Sequence, residues 1–367
     1  MSYSTGNLSA DTLLLLPLAS TLCFRYATVW CTETLRTKIW FGYRRLHRLI
    51  LAASVAGWWA MWNLDRVTSF WLPPIICLGL FLLFSYSGDR DFLKLRWTFV
   101  NILRLAWWRT VTFVVSLLMV VTGFDAILNK KLVGVGWVAG AGLVAMVGTG
   151  FYRSAEGMKL HRTKSGELRN RAFTMARNME TVIRRVYIVP AGKGHLTNAF
   201  GLSNAIGLTD NLGKYLTRGQ VDYVIAHELA HVKQRHGRKQ FWATVTIFSV
   251  VGLLLFLLPT VTLLFRPLLD LIVIIVPVVA VLFLSRRFEY AADREALNFT
   301  GDPETAICAL ANLYQVSAVP ARCDRFTELF QTHPALTRRA QAIADIAQVP
   351  RGRLSDVLQS AGISVGK

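Results

Sequence analysis

The runs HELAHVKQRH (227–236) and RRFEYAADREAL (286–297) carry ionisable residues at metal-ligand spacing, yet two apolar stretches, FWATVTIFSVVGLLLFLLP and PLLDLIVIIVPVVAVLFLS, lie between them. No other feature constrains the fold as strongly. Each apolar stretch is close to the roughly 20 residues that a helix needs to cross the hydrocarbon core of a bilayer. If both cross, the chain leaves one side and returns to it, and the two polar ends meet there.

Four more apolar segments lie upstream, so spans are expected near residues 49–64, 69–86, 110–128, 132–152, 241–258 and 268–285. Residues 12–24 are either a seventh element or an interfacial helix. The glycine-rich 132–152 segment suits close helix packing in lipid, with a re-entrant segment as the alternative. The start, MSYSTGNLSADT, lacks the basic region of a cleavable leader. Of the 367 residues 53% are hydrophobic, and they cluster in runs, which is the pattern of an integral membrane protein. The net charge of +19 could signal nucleic-acid binding. Here the bases flank apolar runs instead: Arg25, Arg36, Lys38, Arg44, Arg45 and Arg48, then Arg90, Lys94, Arg96, Arg104 and Arg109. With six spans these stretches and the basic 153–240 region fall on one side, the cytoplasmic one by the positive-inside rule, and no nucleic-acid partner is expected. Cys23, Cys31, Cys77, Cys308 and Cys323 have no CxxC spacing, which argues against a disulfide framework and a cysteine zinc site.

The domain reading is a membrane region over 1–152, a first polar half over 153–240, a transmembrane hairpin over 241–285 and a second polar half over 286–367. Residues 91–108 read as an amphipathic interfacial helix and 160–185 as a charged helix. Residues 185–190, 197–202 and 204–209 read as short strands. Thr217 and Gln220 have capping-box spacing. The helix they start is free of proline through 258 and is expected to run unbroken into the fifth span.

His227 and His231 are four apart, so both imidazoles leave one helical face, at a spacing that suits one tetrahedral ion. Glu228 is turned by about 100° from His227. It is placed to act as general base toward a water that the ion activates. A catalytic site needs a third protein ligand. Glu289 offers a carboxylate, and Asp293, four residues on, can orient a ligand histidine through its far nitrogen. The competing reading pairs Glu289 and Asp293 with Arg286 and Arg294 on a solvated helix. His236 reads as a surface or packing histidine.

The HELAHVKQRH run, its separation by two spans from RRFEYAAD, and the later THPALTRRA resemble the membrane zinc metallopeptidases that include HtpX and the CAAX prenyl proteases. The resemblance covers about 155–345. It implies a gluzincin fold with one Zn2+ per chain held by His227, His231 and Glu289, and Glu228 as general base and acid. It further implies that Asn198, Ala199 and Phe200 form an edge strand for substrate, that His333 stabilises the oxyanion, and that Arg339, the arginine of HPxxxxR, contacts substrate; the alternatives are an ordinary strand, a helix start at His333-Pro334 and a structural ion pair for Arg339. About four spans precede the catalytic region, against two in HtpX-like chains.

The expected whole is therefore an α-helical polytopic membrane protein of about six spans with a cytoplasmic zincin-like α+β metallopeptidase domain. It would act as a multi-pass endopeptidase of the inner or plasma membrane, if bacterial, on polypeptides that are themselves membrane proteins, in quality control or processing. The rival from another class is a catalytically silent zinc-binding sensor, against which the intact Glu228 weighs. A transporter ranks lower, since Asp125 and Asp270 are the only acids within the assigned spans.

Overall fold

The computed structural model describes residues 98–129, 131–155, 161–162, 165–189, 199–202, 204–257, 266–316, 321–329 and 331–363, with Ala19, Gly79, Leu82 and Leu83. The chain divides into two units, one of residues 1–157 and 248–275, the other of residues 158–247 and 276–367. The segments read as spans at 49–64 and 69–86 lie outside the described residues, apart from Gly79, Leu82 and Leu83, which are helical.

In the first unit, α1 (Phe99–Leu128) and α2 (Val133–Ala155) form a helical hairpin. The expected boundary between an interfacial helix ending at 108 and a span starting at 110 is absent. The sequence across it holds neither proline nor glycine, so nothing stops one helix from continuing. The hairpin closes on two glycines. A Cβ on Gly134 would sit 2.4 Å from the Gly123 carbonyl oxygen and 2.8 Å from Ile127. Only the missing side chain lets the backbones approach this closely, as small residues do at helix contacts in lipid. The glycine-rich segment is thus a continuous helix, not a re-entrant one.

In the second unit a four-stranded sheet has the order β1-β2-β4-β3, with β1 (His161–Arg162), β2 (Arg185–Val189), β3 (Ala199–Leu202) and β4 (Ala205–Thr209). The central pair β2 and β4 is parallel, and β1 and β3 pair antiparallel on either side. Every residue of β4 is buried. Phe200 lies opposite Gly207, and a Cβ on that glycine would sit 2.2 Å from the phenylalanine ring. The aromatic ring fills the space that the glycine leaves, which pins the register of the edge strand.

The region expected as one helix over 160–185 instead contains β1 and the shorter α3 (Glu167–Asn178). Gly166 (φ 129°) and Glu180 (φ 52°) take left-handed conformations just outside its two ends, where an α-helix cannot continue. After β4 come α4 (Leu212–Tyr215) and α5 (Arg218–Lys233). Thr217 and Gln220 close the expected capping box: Gln220 N–H donates to the Thr217 hydroxyl, and Thr217 N–H donates to the Gln220 side chain. α5 is buried almost all round, the pattern of a helix inside a core. It packs among Ala172 and Met175 of α3, Ile206 and Leu208 of β4, Ile307 and Leu310 of α8 (Pro303–Val316), and Ala340 and Ile343 of α10 (Leu336–Ile346). The short α9 (Arg325–Leu329) precedes α10, and α11 (Arg351–Ser360) follows it.

The motif helix does not run unbroken past 233. Arg235 adopts φ 53°, and a separate helix, α6 (His236–Leu257), begins at the next residue. Among the described residues α6 is the one helix long and apolar enough to cross a membrane, and little of its apolar window is buried. α7 (Arg266–Thr300) joins the sixth apolar segment and the EYAAD run in one helix that contains Pro277.

Replacing Thr217 with alanine removes the acceptor at the start of α5. The expected loss is about 1 kcal/mol of stability. Thermal denaturation of the purified protein checks it, with a midpoint shift of roughly 2–4 °C for a domain of this size.

Candidate metal centre

α5 and α7 bring the two ligand runs together within the second unit. The Nε2 atoms of His227 and His231 are 3.2 Å apart. Glu289 Oε1 lies 3.5 Å from His231 Nε2, and Glu289 Oε2 lies 3.6 Å from His227 Nε2. Ligand atoms on a tetrahedral ion with bonds of about 2.0–2.1 Å stand roughly 3.3–3.4 Å from one another. The three side chains can therefore hold one ion with little movement. Glu289 Oε2 is buried and makes no well-aligned hydrogen bond, although His333 Nδ1 at 2.9 Å and Arg339 Nη1 at 3.5 Å face it, which leaves room in its coordination for a cation.

The electrostatics point the same way. Burial disfavours charge on His227, but the Asp293 and Glu289 carboxylates outweigh it and raise the imidazole to about 10, so this spot draws positive charge. Burial and the neighbouring His227 lower His231 to about 3, leaving it in the neutral form that binds metals.

Asp293 occupies the position expected of a residue behind His227: its Oδ1 is 3.0 Å from His227 Nδ1, off the ideal hydrogen-bond line. It also accepts from the Tyr223 hydroxyl at 2.8 Å and from Arg339, Nε to Oδ2 at 2.8 Å and Nη2 to Oδ1 at 2.6 Å. Against the cost of burial, Arg339 holds the Asp293 carboxyl well below its usual range. The competing pairing does not occur. Arg294 is exposed, and one nitrogen of Arg286 donates to the carbonyls of Glu328, Leu329 and Gln331 at 2.8, 3.1 and 2.8 Å. Those bonds hold the segment leading to His333, and the Tyr314 hydroxyl ties the Pro334 carbonyl at 2.9 Å.

Glu228 borders the site beside β3. A Cβ on Gly201 would lie 3.4 Å from Glu228 Oε2 and 3.3 Å from His231 Cβ, so the edge strand rests directly on the motif helix. Burial, opposed by His227 and reinforced by Glu289, raises the Glu228 carboxyl above its ordinary value, while the Gly201 amide donates to it. His333 Nδ1 is 2.9 Å from Glu289 Oε2, with 61% of its side chain exposed.

Of the two readings open for Arg339, the geometry fits the structural ion pair: its side chain is only 7% exposed and its guanidinium is committed to Asp293, with Nη1 3.5 Å from Glu289. It positions the carboxylates. Of the expected substrate strand, Ala199 is buried, Phe200 covers Gly207, and Asn198 lies outside the described residues. Tyr223 and Tyr314 were not singled out, and Arg286 was considered only as a surface ion-pair partner. The signal for Tyr223 was its place four residues before His227 on the same helical face. Neither Arg286 nor Tyr314 had a local signal, because their acceptors come from distant segments.

Arg339→Ala leaves Asp293 buried without its counter-ion. The expected cost is about 3–5 kcal/mol, measured by denaturant unfolding of the purified chain. Arg339→Lys, which keeps the charge and loses the two-pronged geometry, falls between that variant and the unmutated protein.

Comparison with known proteins places the chain in a family. Residues 163–347 match the model for "Peptidase family M48". A "Protease HtpX homolog" of Pyrococcus furiosus is 28% identical over 199 residues, 44% of this chain and 67% of that protein. Another from Acaryochloris marina is 26% identical over 258 residues, 58% of this chain and 86% of its own length. Among solved structures, the crystal structure of S. mikatae Ste24p is 13% identical, with a TM-score of 0.49 over 94% of this chain and 100% of that one. The match spans half of the chain and takes in both ligand runs and the THP segment, and the chain belongs to peptidase family M48, a family of zinc metallopeptidases.

Proposed function

We propose that the chain is a membrane-embedded zinc endopeptidase with one Zn2+ held by His227, His231 and Glu289. The observation that carries this reading is the set of three side chains whose facing nitrogen and oxygen atoms stand 3.2–3.6 Å apart, with Glu228 on the helix of the two histidines. When bound, the zinc ion supplies Lewis acidity that polarises a scissile carbonyl and makes water nucleophilic near neutral pH. Glu228 accepts the proton of the attacking water and returns it to the leaving amine, and its raised affinity for a proton suits both steps. His333, exposed beside Glu289, donates to the carbonyl oxygen as negative charge develops there.

A polypeptide substrate adds in extended form along β3, whose position at the edge of the sheet and against Glu228 supports main-chain pairing next to the chemistry. With Ala199 and Phe200 engaged in packing, recognition there rests on backbone more than on the side chains of the strand. The apolar α6 and the basic flanks of the apolar segments support a multi-pass membrane protein with its site at the cytoplasmic face. That location favours membrane proteins as substrates, in quality control or processing.

Glu228→Gln retains one zinc per chain and loses casein cleavage by about 10²–10⁴-fold. Glu289→Ala and His227→Ala lose the zinc, read by metal analysis after dialysis. Zinc-loaded unmutated protein that cleaves nothing at any pH would point to a sensor instead. The chain stays with the membrane fraction through an alkaline carbonate wash, and its release into the supernatant would overturn the membrane reading.

A further inference from the structure

His236 is a buried ionisable residue near the site that the proposed chemistry does not use. Its ring stacks on Phe288 of α7 at 4.4 Å between centroids, 14° from parallel. Its Nδ1 is 2.9 Å from His231 Nδ1, and its Nε2 is 3.0 Å from Gln234 Oε1.

The backbone breaks to make these contacts. In an unbroken helix, residues five apart diverge by about 140°, and His236 would face away from His231. Arg235 stands at φ 53° between the two helices, a conformation that brings a Cβ against the following carbonyl oxygen and is unfavourable for any residue but glycine. The break turns His236 back over His231. A non-glycine residue held in this conformation beside a metal-ligand set points from the outlier toward function.

We propose that His236 is a positioning residue that sets the tautomer and ring orientation of His231 for metal binding. This rests on the metal-site reading above. Hydrogen positions then follow from bonding rules alone. A neutral His231 that ligates through Nε2 carries its proton on Nδ1. That N–H donates to Nδ1 of His236, which must be the unprotonated nitrogen there. The proton of a neutral His236 then lies on Nε2 and donates to the side-chain oxygen of Gln234, an acceptor only. Each member of the chain has one permitted role. The two ligand histidines thus have different supports: the Asp293 carboxylate behind His227 and a neutral imidazole behind His231.

The test separates hydrogen bonding from packing. His236→Phe keeps a ring against Phe288 and removes the acceptor. His236→Asn keeps an acceptor near the position of Nδ1 and removes the ring. Zinc affinity is measured by competition with a fluorescent chelator, with thermal melting in excess zinc to verify folding. His236→Phe should bind zinc about 10–100-fold more weakly, and His236→Asn should stay near the unmutated protein. Unchanged affinity in His236→Phe, or equal losses in both variants, overturns the proposal in favour of packing. If His236→Phe does not fold, Gln234→Leu reads the same chain from its far end: weaker zinc binding supports the proposal, and unchanged binding overturns it. Zinc binding that survives His231→Ala sinks the metal-site reading itself, a result distinct from failure of the His236 role alone.

Discussion

A carboxylate in a dry interior must have its charge answered, and Asp293, 1% exposed, is answered from two neighbouring helices at once. It stands on α7. Arg339 reaches it from α10 with two hydrogen bonds, and α5 contributes the Tyr223 hydroxyl and the outer nitrogen of His227. Slide any one helix by a turn and a buried charge loses its partner. This hub therefore sets the register of α5 against α7, and that register decides whether Glu289, one turn before Asp293, meets the two imidazoles.

Around the hub the site divides by wetness. Asp293, Arg339 and Glu289 are buried, while His333 is mostly exposed and Glu228 lies under the edge strand. The buried set orients and holds; under the proposed function Glu228 and His333 are the groups that meet a substrate and move a proton. Arg286 extends the same logic to the loop before His333. Three backbone carbonyls converge on one of its nitrogens, so an otherwise irregular segment has a fixed place beside the ligands.

Two local concessions serve this arrangement. Arg235 takes a left-handed backbone so that α5 can end and His236 can turn back. Gly207 gives up its side chain so that Phe200 can lie over it and hold β3 at the sheet edge. A chain optimised only for helix and strand propensity would have neither, and departures of this kind are expected where function sets the geometry.

Much of the site was legible in the sequence, because the information was local. Helical periodicity put His227 and His231 on one face and Glu289 and Asp293 on another, Thr217 and Gln220 announced the start of α5, and the hairpin order said that the two ends should meet. What the tertiary structure alone decided depends on contacts between distant segments. Arg339 could be read as a substrate contact or an ion pair, and only the structure names its partner, the Asp293 carboxylate 46 residues away in sequence and buried beside it. Arg286 found carbonyls more than 40 residues downstream. Gly237 lies two residues beyond the helix break, but the residue that turns left-handed is Arg235 itself, whose conformation accompanies the packing of His236 on Phe288 and its approach to His231. Periodicity and spacing report which face a residue takes on its own element; they carry no record of which buried charge or orphaned polar atom waits on the next one.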